Sequence, residues 1–197
     1  MKYYPIIISG PSGTGKDTAI KALMRKNSQI RDAVGYTTRL PRENEVHGKD
    51  ISFVTREEFE KLIKKDLLVE YAEFANEYYG MPKSEVEKSF NELTIFNVGI
   101  SGARAIKNYV PNATTILLLP SSKEELVMRL GNRGKERLQR AYNDIKEASN
   151  FFEFCIISHN KEIEKVISDI ESVIYYKNPE FRIANLQGFI SSFLSSL

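Results

Sequence analysis

Cysteine is nearly absent: Cys155 is the only one among 197 residues, which rules out an intramolecular disulfide framework and a cysteine-rich zinc site. It sits in the apolar run Phe154-Cys155-Ile156-Ile157 and is expected in the core. Histidine is equally sparse. His47 and His159 lie far apart with no metal-ligand spacing around either, so surface or turn positions are expected for both. Long hydrophobic runs are missing too, since no apolar stretch approaches the ~18 residues needed to cross a bilayer. Nor is there an excess of one charge: 28 Lys and Arg stand against 26 Asp and Glu, a formal net charge of +2. That balance gives no strong case for a nucleic-acid or membrane partner and makes any basic site local. The start, Met1 to Ile8, runs straight into a glycine-rich turn without the apolar region and cleavage site of a signal peptide. A cytoplasmic location is therefore expected.

What the chain does contain is an alternation. Apolar runs rich in β-branched residues (Ile6 to Ser9, Thr94 to Val98, Thr115 to Leu119, Phe154 to Ile157) are each followed by an amphipathic segment (Thr18 to Lys26, Ala103 to Tyr109, Lys123 to Leu130, Glu162 to Ile174). This is the pattern of βαβ units, and runs such as Ile116-Leu117-Leu118-Leu119 suit parallel strands covered by helices on both faces. Thr55 with Glu58 and Ser122 with Glu125 have the spacing of reciprocal helix caps. The length fits one α/β domain with a small insertion. The insertion is expected over about residues 35–88, where charges, turn residues and the aromatics Tyr71, Phe74, Tyr78 and Tyr79 break the alternation. Core segments are then 1–34 and 89–176. A basic, glycine-punctuated stretch at about 131–140 reads as a short lid over phosphates, or as a plain charged turn. Residues 177–197 form a C-terminal extension with Phe189, Ile190, Phe193 and Leu194 at helical spacing.

The strongest chemical signal is Gly10-Pro11-Ser12-Gly13-Thr14-Gly15-Lys16-Asp17-Thr18, between an apolar strand and an amphipathic helix. Glycines let backbone N–H groups converge on a phosphate, the helix adds its positive end, and Lys16 can reach the β- and γ-phosphates. These are the needs of a bound nucleoside triphosphate, expected to be ATP. After the lysine stands Asp17, where a Ser or Thr hydroxyl usually meets Mg²⁺. A carboxylate there repels the triphosphate unless a cation intervenes. Asp17 is thus expected to contact Mg²⁺ directly or through water, with Thr18 approaching the α-phosphate.

Beyond that loop, Tyr36-Thr37-Thr38-Arg39-Leu40-Pro41-Arg42, Gly48-Lys49-Asp50 with Phe53, Val69 to Phe74, and Tyr78-Tyr79-Gly80 together resemble the acceptor-binding region of guanylate kinases. The resemblance runs from about Ile6 to Ile174. It implies a P-loop kinase fold in three layers, with a parallel core sheet, an inserted acceptor-binding subdomain and a short lid. It also implies ATP-dependent conversion of GMP or dGMP to the diphosphate with Mg²⁺, in a protein that is a monomer or homodimer. Arg39, Arg42 and Tyr79 would hold the acceptor phosphate. Glu70 would accept from the ring N–H and exocyclic amine of guanine. Lys16, Arg39 and the lid arginines Arg133 and Arg137 would be the catalytic parts, with Arg140 a further helper and Asn160 at the adenine of ATP.

This chain departs from the family pattern at several points. Gly35 and Met81 stand where serines would face the base, although the Gly35 backbone N–H can still donate. Ile51 stands for a tyrosine, and Asn97 and Gly99 stand for two acids at the end of a core strand. The lid lacks an acidic stretch between Gly134 and Arg137. Two further readings follow from these departures: a kinase for another phosphorylated acceptor, such as ribose 1,5-bisphosphate, and a non-catalytic guanylate-kinase-like binding module.

Overall fold

The structure, a computed structural model, describes residues 3–130, 134–148, 151–159 and 162–196. It opens with β1 (Ile6–Ser9), α1 (Lys16–Lys26), β2 (Ile30–Asp32), β3 (Tyr36–Thr37), β4 (Ser52–Phe53) and α2 (Arg56–Lys64). Then come β5 (Leu68–Phe74), β6 (Glu77–Pro82), α3 (Lys83–Lys88), β7 (Leu93–Asn97), α4 (Ile100–Tyr109) and β8 (Thr114–Pro120). The chain continues through α5 (Lys123–Leu130), α6 (Gly134–Ala148), β9 (Phe154–Ser158), α7 (Ile163–Tyr176), a 3-10 turn at Pro179–Phe181 and α8 (Ile183–Ser196).

Five strands form one parallel sheet in the order β2-β7-β1-β8-β9. Alternate residues of each strand serve opposite layers. Ile6, Ile8, Ile116, Leu118 and Ile156 pack under α1 and α7 with Ile20, Leu23, Val166 and Ile170. Ile7, Phe96, Leu117, Leu119 and Cys155 pack on the other face with residues of α4, α5, α6 and α8. The middles of these strands must then be largely apolar, which is why the runs were continuous. The three-layer P-loop kinase architecture follows from this arrangement. Cys155 is fully buried, and its thiol is pushed up to about 12 by that burial, as befits a core residue.

A second sheet, β4-β3-β6-β5, stands beside the C-terminal edge of the first. The β5–β6 hairpin turns at Ala75 and Asn76, both in left-handed backbone. Gly80 in β6 lets this sheet sit on α2, for an added Cβ would lie 2.9 Å from the Phe59 ring and 3.0 Å from the Glu70 carbonyl oxygen. Thr55 caps α2 with Glu58 reciprocally. The second expected pair is only half formed: the Glu125 N–H donates to Ser122 Oγ, but the Glu125 carboxylate accepts from Ser121 and Arg129 instead.

The basic stretch beyond α5 is more helical than its glycines implied. Gly134 opens α6, whose Ala141, Ile145 and Ala148 fall on one buried face, a periodicity outside the window that the glycines drew attention to. The last helix, α8, buries Ile190 and Phe193 against α6 and β9. No helix among the described residues is long and apolar enough to cross a membrane.

Candidate active site

All five parallel strands end on the same side, and the loops there carry the chemistry. From β1 the chain enters Gly10 to Gly15, with Gly10, Gly13 and Gly15 at positive φ. At Gly10 the requirement is absolute, since a Cβ would lie 2.2 Å from the Leu118 carbonyl oxygen. Gly15 precedes α1 without any side-chain cap, so the first N–H groups of that helix remain unspent and point at the loop. Lys16 Nζ donates to the carbonyls of Gly10 at 2.6 Å and Pro11 at 3.2 Å. Burial lowers its pKa, and Asp17 and Asp144 partly offset that. The ammonium is thus held over the loop by weak neutral acceptors that a phosphate can replace.

A cavity of about 610 Å³ is lined by Ser12 to Thr18, Arg129, Ser158 and His159. Arg129 had no place in the sequence reading. Its Nη1 donates to the Thr14 carbonyl at 3.1 Å and to Ser158 Oγ at 3.3 Å, while Glu125 grips its other nitrogen. It therefore ties α5 to the phosphate loop and to the end of β9. The Glu125–Arg129 spacing of one helical turn was the available signal. Asn160 and Arg133 lie outside the described residues, and Arg137 falls in the first turns of α6.

A second cavity of about 610 Å³ lies between the two sheets, with Gly35, Arg39, Glu70, Tyr79, Asn97 and Gly99 among its walls. Arg39 is held end-on: Nη1 donates to Glu45 Oε2 at 2.6 Å and Nη2 to Glu45 Oε1 at 2.7 Å. This pairing draws the Glu45 carboxyl down to about 2. The Tyr79 hydroxyl approaches the same guanidinium, and Arg39 Nε is buried without a hydrogen-bond partner. The fork facing Glu45 is spent, so the Nε edge is the one left without a partner. Arg42, by contrast, is exposed and reaches Glu45 only through its backbone N–H, at 2.8 Å.

Glu70 stands on β5 at the opposite wall. It makes no hydrogen bond or ion pair among the described residues, and burial pushes its carboxyl up to about 7. Gly102 makes room for it, because a Cβ there would lie 3.1 Å from Glu70 Oε1. Gly35 and Met81 leave the adjoining wall apolar: the Met81 Cε would lie 3.7 Å from a Cβ at Gly35, whose position is also tight against the Gly80 carbonyl at 3.0 Å. From α6, Arg140 lies over the Phe74 ring at 4.6 Å, so it faces the β5–β6 hairpin. Asp144 of the same helix lines this cavity and sits within electrostatic reach of Lys16.

At the seam between the cavities, Asn97 Nδ2 donates to Asp17 Oδ1 at 2.7 Å. Asp32, at the end of β2, lines the second cavity here, with its Oδ1 buried and unpartnered. Neither Asp32 nor Asp144 was singled out from the sequence. Each is a lone acid at the end of an apolar pattern, and only the sheet order and the docking of α6 bring them to the site.

A parallel sheet, a glycine loop closing on a partly buried lysine, and a second cavity beside that loop define a P-loop phosphotransferase. Comparison with known proteins narrows the class. The guanylate kinase family model matches residues 2–177. The chain is 40% identical over 164 residues to the guanylate kinase of Prochlorococcus marinus (strain MIT 9312), covering 79% of this chain and 89% of that one. It is 43% identical over 178 residues to the guanylate kinase of Clostridium acetobutylicum, covering 86% and 83%. A crystal structure of guanylate kinase from Anaplasma phagocytophilum superposes with a TM-score of 0.72 at 25% identity, covering 90% of this chain and 88% of that one. The chain belongs to the guanylate kinase family.

Proposed function

We propose that this protein transfers the γ-phosphoryl group of ATP to GMP or dGMP, with Mg²⁺ accompanying the triphosphate. The carrying observation is Glu70: an unpaired carboxylate in the wall of a cavity that also holds Arg39 and Tyr79 and is joined to the Lys16 loop through the Asn97–Asp17 hydrogen bond. Guanine offers a ring N–H and an exocyclic N–H₂ side by side, so one carboxylate can accept both, whereas adenine presents a bare ring nitrogen at that edge.

The roles in this reading are as follows. The loop from Gly10 to Gly15 and the uncapped start of α1 hold the triphosphate by backbone N–H groups, and Thr18 adds a hydroxyl near the α-phosphate. Lys16 leaves the Gly10 and Pro11 carbonyls for the β- and γ-phosphate oxygens, where its charge opposes the charge on the moving group. Arg39, steadied by Glu45, presents its Nε edge to the acceptor phosphate, with Tyr79 beside it. Arg42 joins from the rim, while Arg133 and Arg137 as phosphate contacts and Asn160 as an adenine contact are proposed from the family resemblance alone. A divalent cation bound with the triphosphate would offset the charge of its phosphates. The oxygen donor of Asp17 at the first turn of α1 fits a hard cation of that kind.

The test is ADP release from ATP and Mg²⁺ against GMP, dGMP, AMP, dTMP and ribose 1,5-bisphosphate, with Lys16→Ala as the blank. Turnover selective for the guanine nucleotides is the expected result. Turnover with ribose 1,5-bisphosphate alone, or none at all, would refute the assignment.

A further inference from the structure

The seam between the two cavities holds a carboxylate without an assigned task. Asp32 ends β2, paired in register with Ile95 of β7. The backbone N–H groups of Ala33 and Asn97 lie near enough to favour its ionised form, while Oδ1 is buried with no partner. Among the described residues it forms no ion pair. The charged groups within electrostatic reach are also negative, namely Asp17 and Asp50. Asn97 stands between the two aspartates, with its backbone beside Asp32 and its carboxamide donating to Asp17.

An unpaired buried carboxylate oxygen beside two further carboxylates costs stability, by desolvation and by like-charge repulsion alike. A phosphate cannot relieve it, being negative itself. What does relieve it is a cation, and the location is apt: Asp17 opens the helix that receives the triphosphate, and Asn97 occupies the end of the strand next to β1. A neutral carboxamide at Asn97 supplies no charge of its own, yet it joins the acids on either side.

We propose that Asp32 is a second carboxylate for the divalent cation that accompanies the nucleotide, acting directly or through a bound water, with Asp17 as its partner across Asn97. In this chain the negative charge for the cation is thus drawn from β2 and α1, one on each side of the strand end that lacks it. The inference rests on the assignment of nucleotide phosphates to the Gly10–Gly15 loop.

Its test reads metal binding apart from catalysis. Mn²⁺ is titrated into the intact protein saturated with adenylyl imidodiphosphate, and the free ion is followed by electron paramagnetic resonance. Affinity for the analogue alone is measured separately in EDTA. Asp32→Asn should weaken Mn²⁺ binding by about tenfold or more, the usual scale for a supporting metal contact, while leaving affinity for the metal-free analogue unchanged. Thermal unfolding checks that the variant folds, and Asp32→Ala is read in the same way if the Asn variant does not. Unchanged Mn²⁺ affinity overturns the proposal. So does a loss of GMP affinity with Mn²⁺ binding intact, which would give Asp32 to the acceptor ribose. If the wild-type protein fails to bind the analogue at all, the phosphate-loop reading itself falls and takes this one with it.

Discussion

Replacing Glu70 by glutamine should make the protein more stable and the enzyme worse. Burial lifts the Glu70 carboxyl from an ordinary value of 4.5 to about 7. In the unfolded chain the group releases its proton near the lower value, whereas in the fold it keeps it until the higher one. Between the two, the folded state binds more protons than the unfolded state, so stability falls as pH rises through this window and levels off above it. At ~1.4 kcal/mol for each pH unit the full penalty would approach ~3 kcal/mol, and water reaching the half-buried side chain reduces it. Glu70→Gln carries no such penalty. Its melting temperature should match the wild type near pH 4.5 and exceed it by several degrees at pH 8, given about 2–4 °C per kcal/mol for a chain of this size. Catalysis should move the other way. A carboxamide offers guanine one acceptor and sets a donor against the second N–H, losing a charge-assisted bond of ~1.5–3 kcal/mol, or about ten- to a hundredfold in kcat/KM for GMP. The paired experiment is differential scanning calorimetry of the ligand-free protein from pH 4.5 to 8 and the ADP-release assay at pH 8. A variant no more stable at pH 8 than at pH 4.5 relative to wild type, with unaltered kcat/KM, would refute both the burial argument and the role in base recognition.

Further predictions concern the walls of the two cavities. Gly10→Ala places a methyl 2.2 Å from the Leu118 carbonyl and should cost more than ~3 kcal/mol, seen as a lower urea midpoint together with lost ATP binding. Glu45→Gln removes the charge that holds Arg39 end-on; KM for GMP should rise about threefold to tenfold with a smaller change in kcat, since a positioning contact of roughly 1 kcal/mol is lost. Gly102→Ala crowds Glu70 Oε1 at 3.1 Å and should weaken GMP binding without altering affinity for ATP, measured by calorimetric titration of each. Arg140→Ala removes the stacking over Phe74 at 4.6 Å, worth about 0.5–1 kcal/mol at an exposed site, and should lower the melting temperature by only a degree or two while leaving the phosphate loop intact.

The sequence was most legible where one strong pattern determined both fold and chemistry. The phosphate loop needs its glycines for backbone reasons and its lysine for charge, so Gly10 to Thr18 could be read as strand, turn, helix and site together. Core strands β1, β7, β8 and β9 were nearly as plain, because burial on both faces leaves few polar positions to blur them. Less could be read where tertiary contacts decide. The short strand β2 has one buried residue, Ile30, and no periodicity to announce it, so Asp32 at its end carried no signal. Strands β3 and β4 have two residues each and exist through their neighbours. The state of Arg39 was hidden as well, since Glu45 is six residues away across an irregular loop whose course no local pattern fixes.

The same contrast explains how the family's task can persist with an altered base wall. Phosphate is recognised by backbone N–H groups, a helix terminus and cations, none of which depends on the side chains at Gly35 or Met81. Base recognition needs individual side chains, and here the polar contribution is concentrated in Glu70. An apolar wall does not hydrogen-bond the guanine carbonyl, but it raises the desolvation that makes the Glu70 carboxylate avid for two N–H donors, because a charge-assisted bond gains in strength where water is excluded. Selectivity then depends on donors more than on the carbonyl. GMP should therefore lead IMP, which lacks the exocyclic amine, by about tenfold or more in kcat/KM, the worth of one hydrogen bond to a charged group. Equal turnover of the two would mean that Glu70 does not read that edge of the base.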